Sequence, residues 1–434
     1  MCPKDWLAEP LTGASALSGS WRYQERPEGQ HALTVSDGRP QFPEWPRPAS
    51  LALFRPDPRR PQTGFVALGD SYSAGIGTGV DGSEDDCRHG LHGYPALIAR
   101  DFEASQGGGR GRNDSVVAFQ FLSCTGSTTE EILSGGAESQ LDNFNTSLPA
   151  DFALLSVGGN DLGFFEVMNA CIFRFYNFYS GTCETALQHA QERLEGDEFE
   201  QRLQIVILEL LDKVRWEKKP WFLITVTGYA RFFNDQTAEC DEMSLGVWWQ
   251  GPKLKRELRV RMNAMVQAVN QKIESTVALI NSRFTSAKVL FVDYDKQFDS
   301  HRFCEPGVQE PDYSRNDTWF FLVGGPDNAR NNVQGSQFAQ AATVPAKSDF
   351  LDPDTCLEPA ARSGDWGVLA LCYMAMSKAQ DPTLKPARDE FMAQNSMWYV
   401  PTYYGKTFHP RTRGHEAIRD MIYETWANGF SEAR

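Results

Sequence analysis

The chain has 434 residues, of which 41% are hydrophobic, and its formal net charge is −15. This length and composition are typical of a globular protein with a large core, and the acidic balance argues against a nucleic-acid partner, whose phosphates need clustered Lys and Arg. No stretch reaches the roughly 18 apolar residues that suggest a membrane span.

The N-terminal segment differs in composition from the rest of the chain. Residues 1–60 are rich in Pro, Arg and aromatic side chains, and prolines at this density prevent long helices and disfavour central strands. We therefore expect a Pro-rich N-terminal arm, followed by the main domain over residues 61–434. The N-terminus also lacks the apolar stretch of a signal peptide.

Two other features indicate an extracellular protein. The chain has nine cysteines, and Asn-x-Ser/Thr sequons begin at Asn113, Asn145 and Asn316. We expect a secreted, disulfide-bonded glycoprotein whose leader is absent from this sequence. The alternative is a cytosolic protein with free thiols.

Short apolar runs alternate with long amphipathic stretches from residue 64 onward. The runs have the length and the β-branched or aromatic content of buried strands. They are Phe65–Leu68, Val116–Leu122, Phe152–Val157, Trp221–Thr227 and Val289–Val292. Apolar residues in steps of three and four predict helices over Leu203–Val214 and Leu254–Ile280. Strands that alternate with helices predict a parallel sheet covered on both faces.

Residues 305–400 interrupt this alternation, because they are rich in Pro, Gly, Asn and Asp. This composition predicts a long insertion or lid-like subdomain within the main domain. The segment RTRGHEAIRDMIYETWANGF, near the end of the chain, predicts a final helix.

Four polar segments lie at the carboxyl ends of strands or just before the last helix, and the strand ends are where open parallel sheets bind ligands. The segments are GDS at 69–71, SCTGST at 123–128, GGND at 158–161 and FHP at 408–410. Ester hydrolysis needs a hydroxyl nucleophile next to a base, and fixed donors aimed at the developing oxyanion. Ser71 and His409 can be the nucleophile and the base. The donors can be the backbone N–H groups of Ser71 and Gly126 and the side-chain amide of Asn160.

This set resembles the SGNH (GDSL) hydrolases, whose four letters match Ser71, Gly126, Asn160 and His409 in order. The segments GDSYSAG, SCTG, SVGGNDLGF and FHPRTRGHEAI look most like the branch of secreted actinomycete-type lipases and esterases. The resemblance implies a flavodoxin-like three-layer α/β/α domain with a five-stranded parallel sheet and a large insertion before the catalytic histidine. It also implies these four residues as nucleophile, oxyanion donors and base, with no metal and no organic cofactor.

One position departs from the pattern of the family. Many members carry an aspartate three residues before the histidine, where this chain has Lys406. An ammonium group cannot accept a hydrogen bond from the imidazole. In part of this branch the backbone carbonyl at that position orients the histidine, so the resemblance implies a Ser–His dyad in which the Lys406 carbonyl holds Nδ1–H.

Three other histidines are candidates for chemistry. His415 lies six residues after His409, and we expect it to cap or pack on the final helix. His89 and His92 have a spacing that can hold a metal, but two histidines without a nearby carboxylate or paired thiol make a poor zinc site. We therefore expect no metal at this pair.

The spacing of the cysteines alone does not fix how they pair. The resemblance implies sequential pairing, which would brace the loops at the catalytic face. The implied pairs are Cys87–Cys124, Cys171–Cys183 and Cys240–Cys304. Cys356 and Cys372 can pair within the insertion, which leaves Cys2 over. The alternative is that some of these are buried free thiols.

The sequence and this resemblance thus lead us to expect a monomeric serine esterase or lipase that acts through an acyl-enzyme. The branch that it resembles implies lipid-like or plant-polymer esters as substrates. Aromatic residues of the insertion are candidates for an acyl pocket. They are Trp319, Phe320, Phe321, Trp366, Trp398 and Tyr399. Two alternatives stay open. One is a carbohydrate O-deacetylase of the same family, and the other is an inactive binding protein, which the lysine at position 406 favours.

Overall fold

The structure is a computed structural model, which describes residues 64–79, 84–106, 117–136, 138–173, 182–245, 252–329, 354–358, 372, 376 and 402–431. The predicted N-terminal arm, the sequon at Asn113 and most of the insertion after residue 329 lie outside the described residues. The predicted domain boundaries therefore stay predictions.

Five strands form one parallel sheet in the order β2-β1-β3-β4-β5. They are β1 (Gly64–Gly69), β2 (Ala118–Phe121), β3 (Phe152–Ser156), β4 (Leu223–Thr227) and β5 (Val289–Val292). Every residue of the three central strands β1, β3 and β4 is buried, as apolar runs covered on both faces must be. The order of the strands is that of flavodoxin-like folds, so the fold class implied by the sequence is confirmed.

Helices connect the strands. They are α1 (Ser71–Ala74), α2 (Tyr94–Gln106), α3 (Thr129–Ile132), α4 (Gln140–Asn143), α5 (Phe164–Met168), α6 (Cys183–Glu195), α7 (Glu198–Val214), α8 (Arg256–Asn281), α9 (Thr402–Gly405) and α10 (Thr412–Ser431). A π-helical turn follows α5 at Asn169–Phe173, and short 3₁₀ turns lie at Trp216–Lys218 and Asp295–Phe298. The two predicted amphipathic helices correspond to α7 and α8, whose apolar stripes are buried in the core.

The last helix, α10, packs with its apolar face buried against the sheet. The indole of Trp426 is fully buried, lies 5.0 Å from the ring of Phe152 and donates to Thr225 Oγ1 at 2.8 Å. The ring of Phe65 stacks between those of Phe119 and Phe152 at 4.6 and 4.7 Å. A bulky apolar core thus fixes the strands whose carboxyl ends carry the motifs.

Residues 319–328, at the start of the predicted insertion, brace the segment before α10. The Phe321 N–H donates to the His409 carbonyl at 2.9 Å, and the Phe408 N–H donates to the Phe321 carbonyl at 3.0 Å. Asp327 accepts from the backbone N–H of Thr412 at 2.8 Å, which satisfies a free donor at the start of α10. This part of the insertion is therefore built into the main domain.

The described part of the chain holds four disulfides, and they join the pairs that were expected from the sequence. They are Cys87–Cys124, Cys171–Cys183, Cys240–Cys304 and Cys356–Cys372. The first one ties the loop before α2 to the loop after β2, and the second one ties the π-helical turn to the start of α6. Both therefore stabilise loops at the carboxyl ends of the strands.

Candidate active site

Ser71 lies in a tight turn between β1 and α1. Gly69 has φ 131°, and a Cβ at this position would come within 2.1 Å of the Ser156 carbonyl oxygen, so only glycine fits. The carboxylate of Asp70 caps α1 by accepting from the Tyr72 N–H at 3.0 Å. The turn leaves the Ser71 side chain at the N-terminus of α1 with only 5% of its surface exposed.

His409 reaches Ser71 from the segment just before α10. Its Nε2 lies 2.6 Å from Ser71 Oγ, across 338 residues of chain. The preceding residue, Phe408, has a left-handed backbone with φ 66°, which is strained for a bulky side chain. Burial among Phe232, Phe233 and Phe303 holds Phe408 in place, with ring centres 4.8 to 5.6 Å apart.

Backbone carbonyls, and not a carboxylate, face the other side of the imidazole. His409 Nδ1 lies 3.2 Å from the Thr407 carbonyl oxygen, whereas the Lys406 carbonyl accepts the His409 backbone N–H at 2.9 Å. The resemblance implied the Lys406 carbonyl as the acceptor of Nδ1–H, and the Thr407 carbonyl is a further acceptor beside it. Because a carbonyl can only accept, this contact favours the tautomer with hydrogen on Nδ1 and a free lone pair on Nε2.

The surroundings of His409 disfavour its charged form. Burial lowers its pKa to about 4, and the positive charge of Arg88 acts in the same direction, against the Thr407 and Lys406 carbonyls. The imidazole is therefore neutral at pH 7 and can accept a proton from the serine hydroxyl.

The side chain of Lys406 does not substitute for the absent aspartate. Its Nζ lies 4.7 Å from the centre of the Phe321 ring, and burial lowers its pKa to about 8, against the charges of Asp327 and Glu84. Its contact with the Phe321 ring helps to hold the segment that carries His409 in place.

The three predicted oxyanion donors lie on loops that the fold holds close together. Asn160 and Ser71 line the same pocket, and Asn160 Nδ2 donates one hydrogen to the Ser127 carbonyl at 2.9 Å, which leaves its second N–H available. The loop of Gly126 is joined to the nucleophile turn by a bond from Cys124 N–H to the Gly69 carbonyl at 2.9 Å. Among the described residues, neither the Ser71 nor the Gly126 N–H donates to a protein acceptor.

An apolar pocket that opens to solvent begins at Ser71. Its wall is mostly aliphatic and aromatic and comes from α5, α6, α8 and the loops after β3 and β4. The apolar residues of the wall are Leu162, Phe164, Val167, Ala190, Phe232, Met262, Met265, Val266 and Val269. Such a cavity can bury a hydrocarbon chain while its polar end stays at the serine.

The aromatic side chains that the sequence analysis offered for an acyl pocket lie elsewhere. Trp319 stacks on His301 with ring centres 3.7 Å apart, and Phe320 packs on Phe298 at 5.0 Å. Neither these two nor Phe321 lines the pocket. The three therefore follow the alternative that aromatic residues of an insertion more often form its own small core. The other three lie outside the described residues.

The remaining histidines have structural contacts. His415 is fully buried in α10, and its Nδ1 accepts from the Tyr94 N–H at 3.2 Å. His89 Nδ1 contacts the Asp85 carboxylate at 2.6 Å, and His92 Nδ1 contacts Thr412 Oγ1 at 3.0 Å. In the described ranges, no three His, Cys, Asp or Glu side chains cluster as metal ligands would, and no helix is long and apolar enough to cross a membrane.

Comparisons with known proteins agree with this architecture. The model of the GDSL-like lipase/acylhydrolase family matches residues 67–313, which is more than half of the chain. A lipase of Streptomyces rimosus is 28% identical over 261 residues, which cover 59% of this chain and 80% of that protein. Lipase 1 of Streptomyces coelicolor is 30% identical over 172 residues, covering 39% and 54% of the two chains.

A solved structure is also similar. Phospholipase A1 from Streptomyces albidoflavus NA297 is 26% identical with a TM-score of 0.42, and the match covers 60% of this chain and 87% of that chain. The family match and the five-stranded parallel sheet together identify the chain. It belongs to the GDSL-like lipase/acylhydrolase family, has the SGNH hydrolase fold, and is a carboxylic ester hydrolase.

Proposed function

We propose that this protein hydrolyses lipid-like carboxylic esters through a Ser71–His409 dyad and an acyl-enzyme. The observation that carries the proposal is the 2.6 Å contact between Ser71 Oγ and His409 Nε2 beside an apolar pocket that Ser71 itself lines. A nucleophile within hydrogen-bond distance of a neutral base is what acyl transfer requires.

In the first half-reaction, Ser71 Oγ attacks the ester carbonyl carbon while His409 Nε2 takes the hydroxyl proton. The N–H groups of Ser71 and Gly126 and the free side-chain N–H of Asn160 stabilise the tetrahedral oxyanion. Collapse of this intermediate breaks the bond to the alcohol oxygen, which receives the proton from His409. The acyl group remains on Ser71.

In the second half-reaction, water takes the place of the alcohol. His409 Nε2 removes a proton from this water, whose oxygen attacks the acyl carbon, and the proton then passes to Ser71 Oγ as the acid leaves. Throughout, the Thr407 carbonyl keeps Nδ1–H in place, so that the lone pair of Nε2 faces the reaction.

The shape of the pocket supports an acyl chain of lipid length over an acetyl group. Acetate has no methylenes to bury, whereas each methylene of a longer chain that enters the apolar pocket contributes about 0.8 kcal/mol. The aliphatic residues of α8 extend over nearly two helical turns, from Met262 to Val269. This wall favours a lipase over a carbohydrate deacetylase.

A fluorophosphonate probe tests the dyad without knowledge of the natural substrate. We expect the wild-type protein to be labelled at Ser71, as mapped by mass spectrometry of the labelled peptide, because only an activated serine reacts with such a probe. Ser71→Ala should abolish labelling, and Ser73→Ala should not, since Ser73 is a buried serine on the same helix. Folded wild-type protein without label would instead favour the inactive binding protein.

A series of p-nitrophenyl esters from acetate to palmitate separates the two enzymatic alternatives. We expect kcat/KM to rise with chain length until the pocket is filled, since burial of methylenes lowers the free energy of the transition state. A sharp preference for acetate would contradict the lipid-like substrate and favour the deacetylase.

The pH dependence of kcat/KM should reflect two buried groups. His409 acts in its neutral form, and its pKa of about 4 keeps this form present at lower pH than an ordinary histidine with a pKa of 6.5. Burial also raises the pKa of Asp70 to about 6. On acidification, the Asp70 carboxylate that caps α1 is therefore protonated before His409 is. We therefore expect half-maximal kcat/KM between pH 4 and pH 6. A midpoint at 6.5 or above would contradict this expectation.

Two observations support an extracellular location for the protein. Four disulfides are typical of proteins from oxidising compartments, and the sequon residues Asn145 and Asn316 are exposed, as glycosylation requires. We propose a secreted protein on these grounds.

A further inference from the structure

We propose that Tyr229 is a positioning residue for the oxyanion donors. Its hydroxyl fixes the turn that carries Asn160 to the turn that carries Ser71. This inference rests on the proposed function of these two residues. Tyr229 follows β4 and belongs to none of the motifs, so the sequence analysis did not single it out.

The hydroxyl of Tyr229 makes two directed hydrogen bonds. It donates to Asp70 Oδ2 at 2.5 Å and accepts from the Gly159 backbone N–H at 3.1 Å. Asp70 precedes the nucleophile, and Gly159 precedes Asn160. One oxygen atom therefore connects Asp70, which follows β1, to Gly159, which lies in the loop after β3.

Tyr229 is itself held rigidly. Its side chain is buried, and its ring meets that of Tyr72 edge-on with centres 5.0 Å apart. The Asn270 side chain of α8 accepts from the Tyr229 N–H and donates to the Tyr229 carbonyl, both at 2.8 Å. Burial raises the pKa of Tyr229 well above its ordinary value, so the hydroxyl keeps the proton that it donates to Asp70.

The turn before Asn160 needs such a fixed point. Gly158 has φ 129°, a conformation that only glycine adopts readily, and the Phe199 ring packs directly against it, so this turn has no side chain of its own that could reach the turn of Ser71. Beyond Asn160, the turn is fixed because Asp161 accepts from the Thr129 N–H at 3.1 Å. The Tyr229 hydroxyl is the corresponding anchor before Asn160. Its loss lets the backbone of this turn shift, although the Ser127 carbonyl still accepts from Asn160 Nδ2.

A double-mutant cycle of Tyr229 and Asn160 tests whether Tyr229 acts by positioning the Asn160 side chain. We expect Asn160→Ala to lower kcat by about 100-fold, as for the loss of one oxyanion donor. Tyr229→Phe should lower kcat by about tenfold with KM changed less than about threefold, because a misplaced donor weakens the transition state more than substrate binding. The double variant should resemble Asn160→Ala within about threefold, since a positioning residue has no effect once its donor is gone.

A control variant separates positioning from loss of stability. Tyr423→Phe removes a buried hydroxyl that donates to Asp101 at 3.0 Å, and this pair lies outside the pocket. It should keep kcat within about twofold of wild type. Thermal unfolding of all variants shows that each is folded at the assay temperature.

The outcomes distinguish failure of this inference from failure of the proposed function. If the effects of Tyr229→Phe and Asn160→Ala on kcat multiply, so that kcat of the double variant falls about 1000-fold, Tyr229 does not act by positioning Asn160. An unchanged kcat in Tyr229→Phe would contradict the inference as well. Wild-type protein that a fluorophosphonate does not label at Ser71 would overturn both proposals together. If Tyr229→Phe does not fold, the isosteric Asp70→Asn, which removes the carboxylate acceptor of the hydroxyl, should show the same non-additivity with Asn160→Ala.

Discussion

Replacing His409 by alanine is expected to lower kcat/KM for a p-nitrophenyl ester by about 10⁴-fold or more. Without the imidazole, no described side chain lies within hydrogen-bond distance of Ser71 Oγ to take its proton. The serine must then ionise against its ordinary high pKa, so labelling by a fluorophosphonate should disappear as well. Steady-state kinetics on the purified, folded variant measure the loss.

Lys406→Met is the matched control for this prediction. It keeps the volume of a buried side chain and the backbone of the histidine segment, but removes the charge at the position where many relatives carry an aspartate. Because backbone carbonyls orient the imidazole, we expect kcat/KM to stay within about fivefold of wild type. If kcat/KM falls equally in Lys406→Met and His409→Ala, backbone carbonyls alone do not orient the imidazole.

The second large effect concerns the pocket. Ala190 lines it from α6 with a small side chain, and Ala190→Phe fills space that we assign to the acyl chain. The added ring displaces about four methylenes, at about 0.8 kcal/mol each, or roughly 3 kcal/mol in all. The ratio of kcat/KM for the decanoate ester to that for the acetate ester should therefore fall by about 150-fold. The ratio is independent of the fraction of enzyme that is folded.

Ala186→Phe is the control for the pocket. Ala186 lies one helical turn before Ala190 and is equally buried, but it does not line the cavity. It should lower stability by about 1–3 kcal/mol through overpacking and leave the ratio of the two esters nearly unchanged. If both variants change the ratio alike, the acyl chain does not occupy this pocket.

The sequence by itself determined the five strands, the helices α7, α8 and α10, and the family. Buried strands can be recognised in the sequence by their length and apolar composition. The apolar stripes of α7 and α8 can be recognised by their helical periodicity. The four motif segments were recognisable because tight turns and oxyanion donors demand particular residues, such as the glycine before Asp70.

The tertiary structure decided which of these residues meet. The 2.6 Å contact of Ser71 with His409 spans 338 positions, and the Tyr229 hydroxyl meets Asp70 across 159. No local pattern encodes such contacts, because they depend on how strands and helices pack around one core. For the same reason part of the pocket wall lies on α8, where periodicity predicted ordinary core residues, and the Thr407 carbonyl joins that of Lys406 beside the imidazole.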